Sequence, residues 1–280
     1  MSNFDKNSEA QLYWNEDGGN KWAENIDIVE SVLVPMGDTL LERIAVKNGE
    51  HVLDVGCGGG LTSIKLAEQV GGNGSVLGVD VSGPILRIAN NRGTGISNLE
   101  FQHCDAASGD LGKDRYDLIT SRFGVMFFDD PIMAFTNLHK ALKTTGRLIF
   151  LCWRSVPENP WLGEPAAAAF EIMPPPEEKP DPTAPGPFSL ADPEHLKNIL
   201  DSAGFNNINL ESVDKDMPMG DVESAVSFLL KLGPAADAVK DATKEDEGKV
   251  ADAIRKVLEK YNTPDGVVTP AATWIVSASK

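Results

Sequence analysis

Three carboxylates and a run of glycines carry the chemistry of this chain. The stretch His51-Val52-Leu53-Asp54-Val55 is an apolar run with one acid inside it, and it stops at Gly56-Cys57-Gly58-Gly59-Gly60. A glycine turn of this kind lets bare backbone N–H groups and the positive end of a following helix come close to a ligand. A second acid stands in Val79-Asp80-Val81-Ser82 and a third in His103-Cys104-Asp105-Ala106, each where another apolar run ends. A carboxylate beside the glycine turn opposes phosphate and suits an ammonium. An acid closing a second strand can accept both hydroxyls of a ribose, as in dinucleotide folds. An acid closing a third strand can accept from the exocyclic amine of an adenine. The set therefore matches ammonium, ribose and adenine. Phosphate motifs fail: the third glycine of G-x-G-x-x-G would be residue 61, which is Leu61, and no Gly-Lys-Ser/Thr makes a P-loop.

The elements that must position these acids follow from hydrophobic patterning. Five apolar runs, His51–Val55, Ser75–Val79, Leu99–His103, Tyr116–Ser121 and Arg147–Trp153, alternate with helix-like segments at Leu61–Val70, Pro84–Asn91 and Pro131–Leu142. Continuous rather than alternating hydrophobicity predicts strands covered on both faces. Strand–helix alternation predicts right-handed crossovers on a parallel sheet, which puts all three acids at one edge. Beyond Trp153 a dense proline stretch, Met173-Pro174-Pro175-Pro176 through Pro185-Gly186-Pro187, cannot be sheet core and reads as a linker or a lid. Asp192-Pro193 opens a helix to about Ala203, Ile208–Val213 reads as a strand, residues 221–260 as helices, and Trp274-Ile275-Val276 as a last strand.

Composition removes several function classes. The chain has 280 residues, 42 acids against 25 bases, and a net charge of −17. Such a field repels nucleic-acid backbones and anionic lipid. No apolar run approaches a membrane span, and Met1 to Gln11 lacks the apolar core of a signal peptide. Cys57, Cys104 and Cys152 form no CxxC pair, and an odd count suits a reducing cytosol. The expectation is a cytoplasmic protein, monomer or homodimer, with no nucleic-acid partner, no membrane insertion and no metal, since no His/Asp/Glu cluster has ligand spacing.

In this order the motifs resemble the class I S-adenosylmethionine-dependent methyltransferases. The resemblance rests on Val52-Leu53-Asp54-Val55-Gly56-Cys57-Gly58-Gly59-Gly60, Gly78-Val79-Asp80-Val81-Ser82 and Asp105-Ala106. Ser121-Arg122-Phe123-Gly124-Val125-Met126-Phe127-Phe128 and Pro185-Gly186-Pro187-Phe188 are similar to segments of the ubiquinone/menaquinone-biosynthesis-type, type 11-like small-molecule branch. The resemblance implies an α/β, Rossmann-like sheet of seven mostly parallel strands, helices on both faces, and cap-like insertions after strands 5 and 6. It implies an N-terminal helical segment, 1–45, over the active site. The methyltransferase domain would be 46–280, with a proline-rich insertion at 155–190 and a helical one at 215–262. It implies S-adenosyl-L-methionine as cofactor and S-adenosyl-L-homocysteine as product. Gly56 and Gly58 would lie close to the methionine part, with Cys57 in the same loop and Asp54 near the ammonium. Asp80 would take the ribose hydroxyls, Val81 would pack on the adenine, Asp105 and Ala106 would hold its edge, and the Ser121 carbonyl would face the ammonium.

Methyl transfer is an in-line displacement that asks mainly for positioning in a dry cavity. Candidate walls for a small-molecule acceptor are Tyr13, Trp14 and Trp22 before the sheet. Arg122, Phe123, Met126 and Phe127 follow the fourth strand, and Trp153, Arg154, Asn159, Trp161 and Phe188 follow the fifth; either arginine could pair with a carboxylate on the cofactor or on the acceptor, or form a structural ion pair. No histidine stands out as a base; His103 is the one near a strand's carboxyl end. The rivals are an NAD(P)-dependent oxidoreductase, which Leu61 opposes, and a non-catalytic S-adenosylmethionine-binding protein.

Overall fold

The computed structural model describes residues 9–175 and 181–280. Five parallel strands, β1 (His51–Val55), β2 (Ser75–Asp80), β3 (Leu99–His103), β4 (Tyr116–Arg122) and β5 (Leu142–Trp153), are extended by β6 (Asn206–Pro218) and β8 (Gly266–Ser279). The order is β3-β2-β1-β4-β5-β8-β6, with β8 antiparallel to both neighbours. Among the described residues an eighth strand, β7 (Asn262–Thr263), pairs only with β8, so seven strands cross the sheet and a two-residue hairpin arm is added. The central strands are buried as their composition demands: Val52, Leu53, Leu118, Ile119, Phe150 and Leu151 are all fully buried. At the sheet edge, β3 is covered less than the pattern of its apolar residues predicts, and Gln102 and His103 are exposed.

Each crossover begins with a local stop signal. Helix α4 (Leu61–Val70) starts at the left-handed Gly60. Helix α5 (Gly83–Arg92) is capped by Ser82, whose Oγ accepts from the Ile85 N–H. Helix α6 (Pro131–Ala141) is capped by Asp130 with Pro131 at its first position. After β5 come α7 (Pro160–Phe170) and α8 (Pro193–Ser202), the latter capped by Asp192. Three helices, α9 (Val222–Leu229), α10 (Pro234–Ala238) and α11 (Lys244–Leu258), fill the gap before β7. Prolines at first helical positions and side-chain caps satisfy N–H groups that the helix itself cannot.

Among the described residues three helices, α1 (Glu9–Asn15), α2 (Asp17–Glu24) and α3 (Ile26–Ile44), precede the sheet. Helix α3 buries Val29, Val32, Leu33, Met36, Leu40 and Ile44 in the main core. Helix α2 lies on the start of α5, so closely that a Cβ on Gly19 would stand 2.7 Å from Ser82 Oγ. No helix among the described residues is long and apolar enough to cross a membrane.

Candidate active site at the carboxyl edge of the sheet

The turn after β1 is held open by backbone geometry. Gly56, Gly58 and Gly60 have φ of +65°, +56° and +83°, a region that favours glycine. The N–H groups of Gly56 and Cys57 both donate to the Val79 carbonyl, which ties the turn to β2. A Cβ on Gly58 would meet nothing within 4 Å, so this backbone faces open space. A Cβ on Gly124 would lie 2.7 Å from both the Gly56 Cα and the Val55 carbonyl oxygen. The Ser121 hydroxyl completes this contact: it donates to Val55 O at 2.6 Å and accepts from the Gly124 N–H at 3.0 Å. The Cys57 side chain does not face the open space. It packs with Leu86, Ala89 and Phe101, and burial pushes its thiol well above the usual range.

The three acids differ in how much of their acceptor capacity is used. Asp54 is 1% exposed; its Oδ2 accepts from Ser63 Oγ at 2.6 Å, and its Oδ1 is buried with no partner among the described residues. Burial raises this carboxyl to about 6, against the pull of Ser63 and Arg122 and with help from Asp80. Asp80 accepts from Ser82 N–H at Oδ1, 2.9 Å, and from Gly58 N–H at Oδ2, 2.8 Å. Each oxygen keeps a lone pair. Burial raises Asp80 too, although both backbone bonds oppose it. Asp105 Oδ1 accepts from the Ala107 N–H, and its Oδ2 accepts from Ser108 Oγ and from Gln11 Nε2. Ala106 is buried beside it.

Helix α1 forms the outer wall of this edge. Asn15 Nδ2 donates to the Val81 carbonyl at 2.8 Å while its Oδ1 accepts from the Gly83 N–H. Between α1 and the strand ends lies a cavity of about 430 Å³, lined by Gln11, Leu12, Asn15, Val81, His103 and Asp105. His103 Nε2 is 2.7 Å from Val81 O. Helix α3 is tied to the glycine turn by Arg92, whose Nη1 donates to Glu30 at 2.8 Å and to Gly59 O at 3.1 Å. None of these ties was legible in the sequence. Asn15, Glu30 and Arg92 sit in ordinary helical patterns, far along the chain from what they touch. Gly124 lies inside a recognised motif, but its role depends on facing another glycine.

The candidate wall residues separate into groups. Trp14 packs edge-to-face on Trp22 and Phe127, with ring centroids 5.6 and 5.1 Å apart, and Tyr13, next to it, is 55% exposed. Phe123, at φ +65°, stacks on Trp153 at 4.2 Å, and Trp153 meets Trp161 at 5.1 Å. All three are buried in the main core with Met126. Trp161 Nε1 donates to Asn159 Oδ1, and the fully buried Asn159 bonds both the N–H and the carbonyl of Ala272, so this layer pins β5 to β8. Arg154 is committed to Asp214 and Glu158 and lies over the Trp274 ring. Phe188 is half-buried against the core, near Ser189, whose hydroxyl donates to Met126 O. Arg122 turns to a narrow cleft between α3 and the first turn of α4, beside Gly37, Asp38, Thr62 and Lys65. Residues 176–180 of the proline-rich stretch lie outside the described residues.

Known proteins share parts of this sequence and its fold. Residues 52–146, from β1 into β5, match a family model described as a methyltransferase domain. A demethylmenaquinone methyltransferase of Staphylococcus saprophyticus is 26% identical over 181 residues, 62% of this chain and 77% of that protein. Phosphoethanolamine N-methyltransferase 2 of Haemonchus contortus, solved with S-adenosyl-L-methionine, superposes with a TM-score of 0.61 at 16% identity, over 98% of this chain and 60% of its own. The [4+2]-cyclase SpnF superposes at 0.58 and 20% identity, over 98% and 97%. At these identities the two structures establish the fold. Residues 52–146 are thus a methyltransferase domain, and with its motif order the chain is similar to S-adenosylmethionine-dependent methyltransferases of the ubiquinone/menaquinone-biosynthesis type.

Proposed function

We propose that the chain methylates a small, ring-containing organic acceptor in the cytoplasm, and that the edge formed by Gly56–Gly60, Asp80 and Asp105 holds the cofactor. The observation that carries this is the buried, unpartnered Oδ1 of Asp54 on the strand that leads into the open glycine turn. A buried acceptor without a donor is costly and asks for one. An ammonium is the donor that a carboxylate in this position suits. The other residues present also fit. Asp80 has two lone pairs for two ribose hydroxyls, and Val81 offers an apolar face. Asp105 keeps one acceptor position on Oδ1 for an amine, next to the Ala106 backbone, and the Ser121 carbonyl lies at the end of β4. Gly56 and Gly58 keep side chains out of the turn. Residues 1–45 would form the cover, and 46–280 the catalytic domain with its insertions at 155–190 and 215–262.

When bound, S-adenosylmethionine supplies an electrophilic methyl group. The chain's own contribution is to orient and to exclude water. The Trp14, Trp22 and Phe127 cluster offers ring faces and edges at the cover, where a sulfonium is favoured by about 0.5–2 kcal/mol. A phenolic acceptor would need its proton removed as the methyl group is transferred, whereas a neutral amine attacks through its lone pair. The similarity to demethylmenaquinone methyltransferases supports a quinol-like ring. The test is incubation with S-adenosylmethionine and a panel of hydroquinones, catechols and amines, read by mass spectrometry. A methylated hydroquinone with matching S-adenosylhomocysteine supports the reading; methylation confined to amines overturns the acceptor class.

A further inference from the structure

A second set of unmet polar groups lies on the face of the sheet that α3 and α4 cover. Asp54 and Thr120 are register partners on β1 and β4, so their side chains share a face, and Arg122, two residues further along β4, shares it too. Asp54 Oδ1 and Thr120 Oγ1 are both buried without a hydrogen-bond partner among the described residues. Arg122 is surrounded by acids yet, among the described residues, pairs with none of them. Glu30 is taken by Arg92, Asp38 by Lys65, and the Oδ2 of Asp54 by Ser63. Burial pulls the Arg122 guanidinium below its ordinary range, while the fields of Glu30, Asp54 and Asp38 support its charge. Its side chain lies against Gly37, where a Cβ would stand 3.3 Å from Cδ. The cleft it lines continues to Leu61 and Thr62, the first turn of a ten-residue helix that has no side-chain cap and starts where the glycine turn ends.

An unmet carboxylate oxygen, an unmet hydroxyl and an unpaired guanidinium on adjacent strands are complementary to one chemical group, an α-amino acid. Its ammonium answers Asp54 and its carboxylate answers Arg122 in the two-pronged geometry that guanidinium favours. A water molecule could bridge Asp54 and Thr120 but brings no charge to Arg122. We propose that Arg122 receives the carboxylate of the cofactor's amino-acid end, with Asp54 and Thr120 beside it. This rests on the cofactor assignment above and decides a residue that the sequence leaves open between cofactor and acceptor.

The test compares two ligands by calorimetry. S-adenosylhomocysteine carries the amino acid, and 5′-methylthioadenosine keeps the nucleoside and thioether without it. Arg122→Gln is expected to weaken S-adenosylhomocysteine about ten- to hundred-fold, the worth of bonds to a charged group, and to leave 5′-methylthioadenosine within about two-fold. Thr120→Val, which removes an unmet hydroxyl at nearly constant shape, is expected to weaken S-adenosylhomocysteine alone by about three- to ten-fold. Equal losses for both ligands would make Arg122 a structural residue, and unchanged S-adenosylhomocysteine affinity in both variants would overturn the proposal outright. A wild-type protein that binds neither ligand would overturn the cofactor reading itself, a result distinct from either.

Discussion

Replacing Asp54 with asparagine separates the stability of the fold from the demands of the site. The carboxyl is 1% exposed and rises from an ordinary 3.8 to about 6, with burial as the largest cause. The sign is fixed by linkage. The unfolded chain ionises near 3.8 and the folded chain near 6, so between these values the folded state holds the extra proton and stability falls as pH rises. The loss is complete above 6 and amounts to about 3 kcal/mol, since each tenfold change in proton affinity is worth roughly 1.4 kcal/mol. Asparagine still offers an oxygen to Ser63 but carries no charge to desolvate. The pH-dependent part of the difference between variant and wild type should therefore grow from ~0.5 kcal/mol at pH 4 to ~1.5 at pH 5 and ~3 at pH 8. For a chain of this length ~3 kcal/mol is worth about 5 °C in Tm, with the variant the more stable. Asp80, raised in the same direction by burial, is present in both proteins, and losing the Asp54 charge relieves its repulsion, which adds to the same trend. Thermal unfolding followed by circular dichroism across this range checks the claim. The same variant should bind S-adenosylhomocysteine about ten-fold more weakly at pH 8, because the charge that destabilises the free protein is the one that meets the ammonium. A difference in Tm that stays constant from pH 4 to pH 8 would sink this explanation, since it would mean that Asp54 is not a buried, destabilised carboxylate.

Other outcomes follow from the same geometry. Gly124→Ala puts a methyl group 2.7 Å from the Gly56 Cα and Val55 O, so the glycine turn must shift; S-adenosylhomocysteine affinity should fall at least ten-fold while far-ultraviolet circular dichroism is kept, and unchanged affinity would mean that the turn tolerates movement. Asp80→Asn keeps the size of the side chain but not its four acceptor positions; isothermal titration should show a loss of about 1.5–3 kcal/mol, and a smaller loss would remove the ribose role. Arg92→Ala breaks the tie among α5, Glu30 and Gly59; hydrogen exchange should quicken in 26–34 and 56–60 together, and quickening in only one of the two would show that they are not coupled.

The parts of the fold that the sequence made legible are those where chain order and space coincide. Strands β1, β2 and β4 lie at the centre, both faces are covered, and their residues are continuously apolar. The acids are legible for the same reason: in a parallel sheet each strand ends at the same edge, so Asp54, Asp80 and Asp105 converge without further information. Polar strand segments are not legible. The sequence ends a helix at Leu142 and starts a strand only at Arg147, whereas β5 begins at Leu142, and β6 continues past Val213 through Asp214, Lys215 and Asp216 because β8 pairs with it beyond the body of the sheet, where neither face is fully covered. Side-chain direction is also hidden. Arg122 and Phe123 are adjacent in sequence, yet one turns toward α3 and α4 and the other stacks on Trp153. The sequence lists both as acceptor walls and leaves Arg122 open between cofactor and acceptor, because alternation along a strand says that neighbours diverge but not which neighbour faces the ligand.

The roles given to Asp54, Asp80, Asp105 and Arg122 all require the cofactor to sit at the edge between α1 and the ends of β1, β2, β3 and β4. A crystal structure with S-adenosylhomocysteine bound tests that placement without an intermediary. Both ribose hydroxyls should lie on Asp80, the adenine amine on Asp105, and the amino-acid end on the side of Asp54 and Arg122. A nucleoside seated elsewhere, or seated here with Asp80 making no contact to it, would overturn the assignment.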